Sequence, residues 1–179
     1  MSQIELYVPR LEDLWFRRQM LADPATMGYN KGYALGFPAY HNDTGCIDFP
    51  ESDWPGWYAR WVNAQPERFY AYLRQQEAGA AGAFLGEVSL YQTTAPGVYE
   101  MGIVLHSAQR GKGYSAGGLR LLLAYAFGEL AAGKVTNTFE PARAAALKLH
   151  RSVGFQVEKE EAGLLYLSLT AEGYRKATK

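Results

Sequence analysis

The stretch Val104-Leu105-His106-Ser107-Ala108-Gln109-Arg110-Gly111-Lys112-Gly113-Tyr114-Ser115 gathers two glycines, two cations and small side chains between two different hydrophobic patterns. The residues before it, from Val98 to Leu105, read as a strand. The residues after it keep helical spacing through Leu119, Leu122, Leu123, Ala126, Phe127 and Leu130, which predicts an amphipathic helix over residues 114–131. The first amides of a helix have no intrahelical acceptors, and the helix dipole adds partial positive charge there. Glycine lets an anion approach the backbone closely, because no Cβ stands in the way. With Arg110 and Lys112 alongside, the turn has the chemistry of a diphosphate cradle. A Gly-x-Gly turn also joins strands to helices for steric reasons alone, so the glycines by themselves leave a plain connector open. The stretch is neither a P-loop nor a dinucleotide fingerprint, since the spacing of Lys to Ser/Thr and the third glycine are wrong for either.

The elements that must position this turn follow from periodicity. Residues 4–8 alternate as a strand. Pro9 opens a helix with Leu11, Leu14, Trp15 and Leu21 on one face. Residues 23–50 are punctuated by Gly28, Gly32, Gly36, Pro38, Gly45 and Pro50, which predicts an irregular or only briefly helical segment. A second helix is capped by Ser52 or Asp53, carries Trp54, Trp57, Tyr58 and Trp61 on one face, and ends near Pro66. Strand-like runs follow at 69–73, 84–91 and 98–105, separated by Gly79 to Gly82 and Thr93 to Gly97, so an antiparallel meander is expected. Beyond the long helix come a strand at 134–139, an alanine-rich helix at 142–152, and strands at 155–160 and 164–169. This order predicts a mixed α/β fold: a mostly antiparallel sheet of six or seven strands with helices on its faces.

The bulk numbers narrow the function classes. A chain of 179 residues suits one domain, and no composition break divides it. Apolar residues make up 48% and charged residues 20%, which supports a packed core. Lys plus Arg equals Asp plus Glu at 18 each, so nucleic acid is not expected as a partner. Cys46 is the one cysteine, and no metal cluster is expected. The N-terminus lacks the basic and apolar regions of a signal peptide, and no apolar run nears the ~18 residues of a membrane span. A cytoplasmic protein without membrane contact is the expectation.

Arg110-x-x-Gly113-x-Ser115, set between the strand Tyr99-Glu100-Met101-Gly102-Ile103-Val104-Leu105 and a helix, resembles the central motif of the GNAT family of N-acetyltransferases. The usual form there is Arg/Gln-x-x-Gly-x-Gly/Ala, and Ser115 departs from it while staying small. Downstream, Ala145-Ala146-Leu147-Lys148-Leu149-His150-Arg151-Ser152-Val153-Gly154-Phe155 resembles the family's later motif, an alanine-rich helix closed by Gly-Phe. The likeness covers residues 83–170 and is one of layout only in residues 1–72. It implies a GNAT-like fold over residues 1–179, with an acetyl-CoA core at 83–170 and acceptor-side elements at 1–72. It also implies acetyl-CoA as co-substrate, no metal, and an amine acceptor on a small molecule or peptide. A homodimer is compatible with it.

The same resemblance assigns residues. The backbone of Ile103, Val104 and Leu105 would pair with the pantetheine arm, and the amides of Arg110, Gly111, Lys112, Gly113, Tyr114 and Ser115 would take the pyrophosphate. A splay between two strands would admit the thioester. Acyl transfer to an amine needs a neutral amine, an oxyanion partner and a proton for the leaving thiolate. Glu100 is the first candidate base. Alternation puts it with Val98, Gly102 and Val104, opposite Tyr99, Met101, Ile103 and Leu105; Glu87 is the runner-up. The family's general-acid Tyr corresponds to His150 here, and an Asn seven residues earlier corresponds to Arg143, which could reach a phosphate instead. A helix-end histidine that only packs or meets the dipole is the plain alternative for His150. These departures keep alive a catalytically impaired CoA-binding sensor or interaction module of the same fold. His106 reads as a loop residue.

All four tryptophans and 15 of the 25 aromatic residues lie in residues 1–72. Most should be core. The segment Tyr29 to Phe49 could form a lid or acceptor wall. Asp43, Asp48, Glu51 and Asp53 near it would attract a cationic amine, or serve only solubility.

Overall fold

Each strand expected from alternation forms, with ends within two residues of those expected. The computed structural model describes residues 3–76 and 82–178. The strands are β1 (Ile4–Tyr7), β2 (Arg68–Gln75), β3 (Phe84–Gln92), β4 (Val98–Leu105), β5 (Lys134–Phe139), β6 (Gln156–Glu161) and β7 (Leu164–Thr170). They make one sheet in the order β1-β2-β3-β4-β5-β7-β6. Among the described residues, only β4 and β5 pair in parallel; all other neighbours are antiparallel. A parallel pair needs a crossover, and α4 (Tyr114–Gly128) supplies it. The Gly79 to Gly82 connection lies mostly outside the described residues.

Alternation sorts each central strand into two faces. Phe69, Ala71, Leu73, Val88, Leu90, Tyr99, Met101 and Leu105 pack against Leu119, Leu122, Leu123 and Ala126 of α4. The helices α5 (Ala144–Ser152) and α6 (Ala171–Ala177) add Leu147, Leu149 and Tyr174 on this side. On the other face, Tyr70 and Tyr72 meet Phe16 and Met20 of α1 (Trp15–Leu21) and Val62 after α3 (Trp54–Trp61). Helices therefore cover both faces of a mixed sheet.

The first half departs from its expected detail. Leu11–Leu14 is a 3-10 turn before α1, and Leu14, Phe16, Met20 and Leu21 are the buried residues, while Leu11 and Trp15 are exposed. The tighter turn rotates the register, so the apolar face expected from one continuous helix is wrong at Trp15, which is 51% exposed. The second helix stops at Trp61, well before Pro66, and is entered from a 3-10 turn with no side-chain cap. Trp54, Trp57, Tyr58 and Trp61 all pack against the first-half clusters. The briefly helical part of residues 23–50 is α2 (Pro24–Met27), whereas α6 lies beyond the elements expected from the sequence. Both carry side-chain caps, from Asp23 and Thr170.

Candidate active site

β4 and β5 part company within their length. They pair only at Val98 with Lys134, Tyr99 with Val135 and Glu100 with Thr136. β4 then runs on to Leu105 and β5 to Phe139. The far side of β4 stays bonded to β3 as far as Leu105 with Gly86. The β5-facing edge of Met101 to Leu105, which contains Ile103, Val104 and Leu105, is thus left open for an extended ligand to pair with.

The open edge leads to the glycine turn. Gly111 and Gly113 hold φ of +76° and +84°, a region that favours glycine, and a Cβ built on either would meet nothing within 4 Å. Gly113 precedes α4 without a side-chain cap. Among the described residues, the amides of Gly111, Lys112 and Gly113 have no hydrogen-bond acceptor, and those of Tyr114 and Ser115 open the helix, where none is available within it. Free amides, open space and a helix N-terminus fit a diphosphate group.

The side chains of the turn are arranged otherwise. The Arg110 guanidinium donates to the carbonyls of Ala25 and Thr26 at 2.8 and 2.7 Å, and its amide is bonded to Ser107. Lys112 is exposed and donates to Gln109 at 3.0 Å. The Ser107 amide donates to the Thr26 hydroxyl, and the Ser107 hydroxyl to Asp23 at 2.7 Å. Asp23 also accepts from the Thr26 hydroxyl at 2.5 Å, and this bond foremost, with that from Ser107, holds its carboxyl below the usual range. His106 accepts from the Ala108 amide and so shapes the turn as a loop residue.

The two carboxylates share the face opposite α4 but not an environment. Glu100 sits on the last paired rung of β4 and β5, opposite Tyr91 of β3. It makes no ion pair among the described residues. Burial, then the bond to Glu100 and its charge, push the Tyr91 phenol up to about 12. Glu87 faces Val104 on one side and Tyr72 on the other. Four residues of strand separate the two levels, about 13 Å. Glu87 is held by Arg17 of α1 and by the Tyr70 hydroxyl, with both charged side chains largely buried. Burial works against the Arg17 charge, and Glu87 with Tyr70 more than offsets it.

His150 is withdrawn into the core at 2% exposure, between Phe139 and Phe155. Its Nδ1 lies 2.8 Å from the Ala146 carbonyl and its Nε2 2.8 Å from the Asn137 amide nitrogen. These partners require a neutral ring protonated on Nδ1 and accepting on Nε2. Burial also lowers its pKa, with Arg143 adding to the effect. Asn137 stands just past the last β4–β5 rung, and its oxygen takes the Thr138 amide. Arg143, before α5, lies over the rings of Tyr29 and Phe139 at 5.0 and 5.6 Å. Gly154, with φ of +104°, ends α5; its amide reaches Arg151 and the Phe155 amide reaches His150, closing the helix as a Schellman motif.

The acidic residues near the acceptor segment do not form a common wall. Asp43, Asp48, Glu51 and Asp53 are all exposed; Asp48 faces His41 at 3.0 Å and Glu51 faces Arg18 at 3.5 Å. The residue missed by sequence reasoning is Arg17, whose partner Glu87 is 70 positions away. Among the described residues there is no cluster of three metal-ligating side chains, and no helix is long and apolar enough to cross a membrane.

One mixed sheet that splays between β4 and β5, with helices on both faces, is the fold on which the comparisons bear. The model for the acetyltransferase (GNAT) domain matches residues 4–156, and the chain belongs to this family of enzymes. Among solved structures, the chain is similar to a spermidine N-acetyltransferase from Vibrio cholerae in complex with CoA and spermine. That match has a TM-score of 0.74 and 15% identity, over 97% of this chain and 98% of that one. It is also similar to an acetyltransferase of the GNAT family from Bacillus anthracis, with a TM-score of 0.69 and 15% identity over 96% and 98% of the two chains. A domain from Methanocaldococcus jannaschii gives 0.70 at 16% identity, over 95% and 99%. At these identities the likeness is one of fold. No curated protein sequence matches the chain.

Proposed function

We propose that the chain is an acetyl-CoA-dependent N-acetyltransferase, moving the acetyl group to a primary amine of a small molecule or peptide by direct attack in a ternary complex. The observation that carries this is the splay: three paired rungs, then a free β4 edge that leads straight to unpaired amides at Gly111, Lys112 and Gly113. Acetyl-CoA supplies the activated acyl group; the protein orients it and the amine. In this reading residues 83–170 hold the coenzyme and residues 1–72 form the acceptor side.

The edge of Ile103 to Leu105 holds the pantetheine arm, and the amides from Gly111 to Ser115 take the diphosphate. Glu100, at the floor of the splay and free of cationic partners among the described residues, removes the proton from the acceptor ammonium, directly or through water. Glu87 is bound to Arg17 and is not the base. His150 acts as a positioning residue: it fixes Asn137 on the part of β5 that borders the splay. Arg143 and Lys112 supply charge at the coenzyme's rim.

The withdrawal of His150 favours a second reading, a CoA-binding module that does not turn over. Acetyl-CoA binding by thermal shift, followed by thiol release and product mass across a panel of amines, separates the two.

A further inference from the structure

Arg17 is the most unusual group on the acceptor face. Its Nη1 alone meets both oxygens of Glu87, at 2.5 and 2.6 Å, and the Tyr70 hydroxyl at 3.4 Å. The guanidinium lies 4.4 Å from the ring of Trp57, 5.5 Å from Phe49 and 5.6 Å from Tyr70. Its Nε is buried with no hydrogen-bond partner among the described residues, although the side chain keeps 16% exposure. A guanidinium presents donors in a planar fork that matches a carboxylate. Here the edge carrying Nη1 is committed and the Nε donor is idle, and a buried donor left idle is costly.

The surroundings have the same sign. The Arg143 guanidinium lies 5.0 Å from the ring of Tyr29. Tyr29 also lines a cavity of about 290 Å³ with Lys31, Arg143 and Glu140. Lys31 and Arg143 outnumber Glu140 in that lining, and Arg17 is paired with Glu87. A polyamine would add positive charge there, while the exposed acidic residues that would attract it are paired elsewhere or turned to solvent.

We propose that the acceptor amine carries a carboxylate, as an amino acid does, and that Arg17 is the specificity-determining residue that binds it through the donors Glu87 leaves free. This rests on the acetyltransferase reading above.

The test uses the whole chain and matched acceptors: common amino acids, their carboxamides, and spermine, each with acetyl-CoA. Free acids are expected to exceed their amides by roughly tenfold to a hundredfold in kcat/KM, as for a hydrogen bond to a charged group. Calorimetric titration of N-acetyl amino acids and N-acetyl amino acid amides into the protein with CoA gives the same comparison without turnover. In the double variant Arg17→Gln, Glu87→Gln, which leaves no lone buried charge, the acid-to-amide ratio should fall to within about twofold while the acetyl-CoA thermal shift is retained. A merely structural Arg17 would leave that ratio unchanged. Equal use of acid and amide, preference for spermine, or a ratio that survives the double variant overturns the proposal. Loss of the acetyl-CoA shift in the unaltered protein overturns the acetyltransferase reading instead.

Discussion

Arg110, in the turn before α4, donates to the backbone carbonyl of Thr26 at 2.7 Å, and so fastens the glycine turn to α2. A second bond to Ala25 and the Ser107–Asp23 bond complete the fastening. The motif's arginine is thereby a strut between the glycine turn and α2. Arg110→Ala should cost about 0.5–1.5 kcal/mol of stability and raise KM for the amine, while acetyl-CoA affinity changes less than about threefold. A tenfold loss of acetyl-CoA affinity by calorimetry would instead make Arg110 a phosphate ligand.

Gly113 tests the cradle itself. Its φ of +84° strains any other residue, and the space beside it is open. Gly113→Glu is expected to abolish the acetyl-CoA thermal shift through bulk and like charge. Unchanged affinity would remove the turn from the coenzyme site.

The carboxylates should separate cleanly. Glu100→Gln is expected to lower kcat by about 100-fold or more, the range for a general base, with CoA affinity retained; normal turnover would exclude it as base. Glu87→Gln strands the buried Arg17 cation and should cost about 3–5 kcal/mol, read by denaturant unfolding.

His150 predicts a pH dependence of stability. Burial depresses its folded pKa below the ordinary 6.5, so the unfolded chain binds the proton more readily. Its neutral form contributes stability above pH 6.5 that is lost as pH falls through the folded value. Thermal midpoints should drop as the pH falls below the ordinary 6.5, and His150→Gln should flatten that slope. If kcat instead follows a His150 titration, the ring is a proton donor after all.

Local patterns revealed the sheet well. Tyr99, Met101 and Leu105 face α4 while Glu100 faces the other way, as alternation requires. The Gly154 cap and the free glycine turn were equally readable, because both depend on neighbouring residues. Arg17 was not readable, since its meaning comes from a carboxylate two strands away. Trp15 misled because a 3-10 turn changed the helical phase. His150 looked like a site residue from its place in a motif, but its burial depends on Phe139 and Asn137 of another strand. The acidic residues from Asp43 to Asp53 suggested a cation site only until their outward directions were known.

Acetyl transfer itself is tested most directly by mixing the chain with acetyl-CoA and single primary amines, then following free thiol and the mass of the amine together. The expected result is thiol release that depends on one class of amine, with a matching gain of one acetyl group on that amine. Thiol release no faster than hydrolysis for every amine, with no acetylated product, would contradict it.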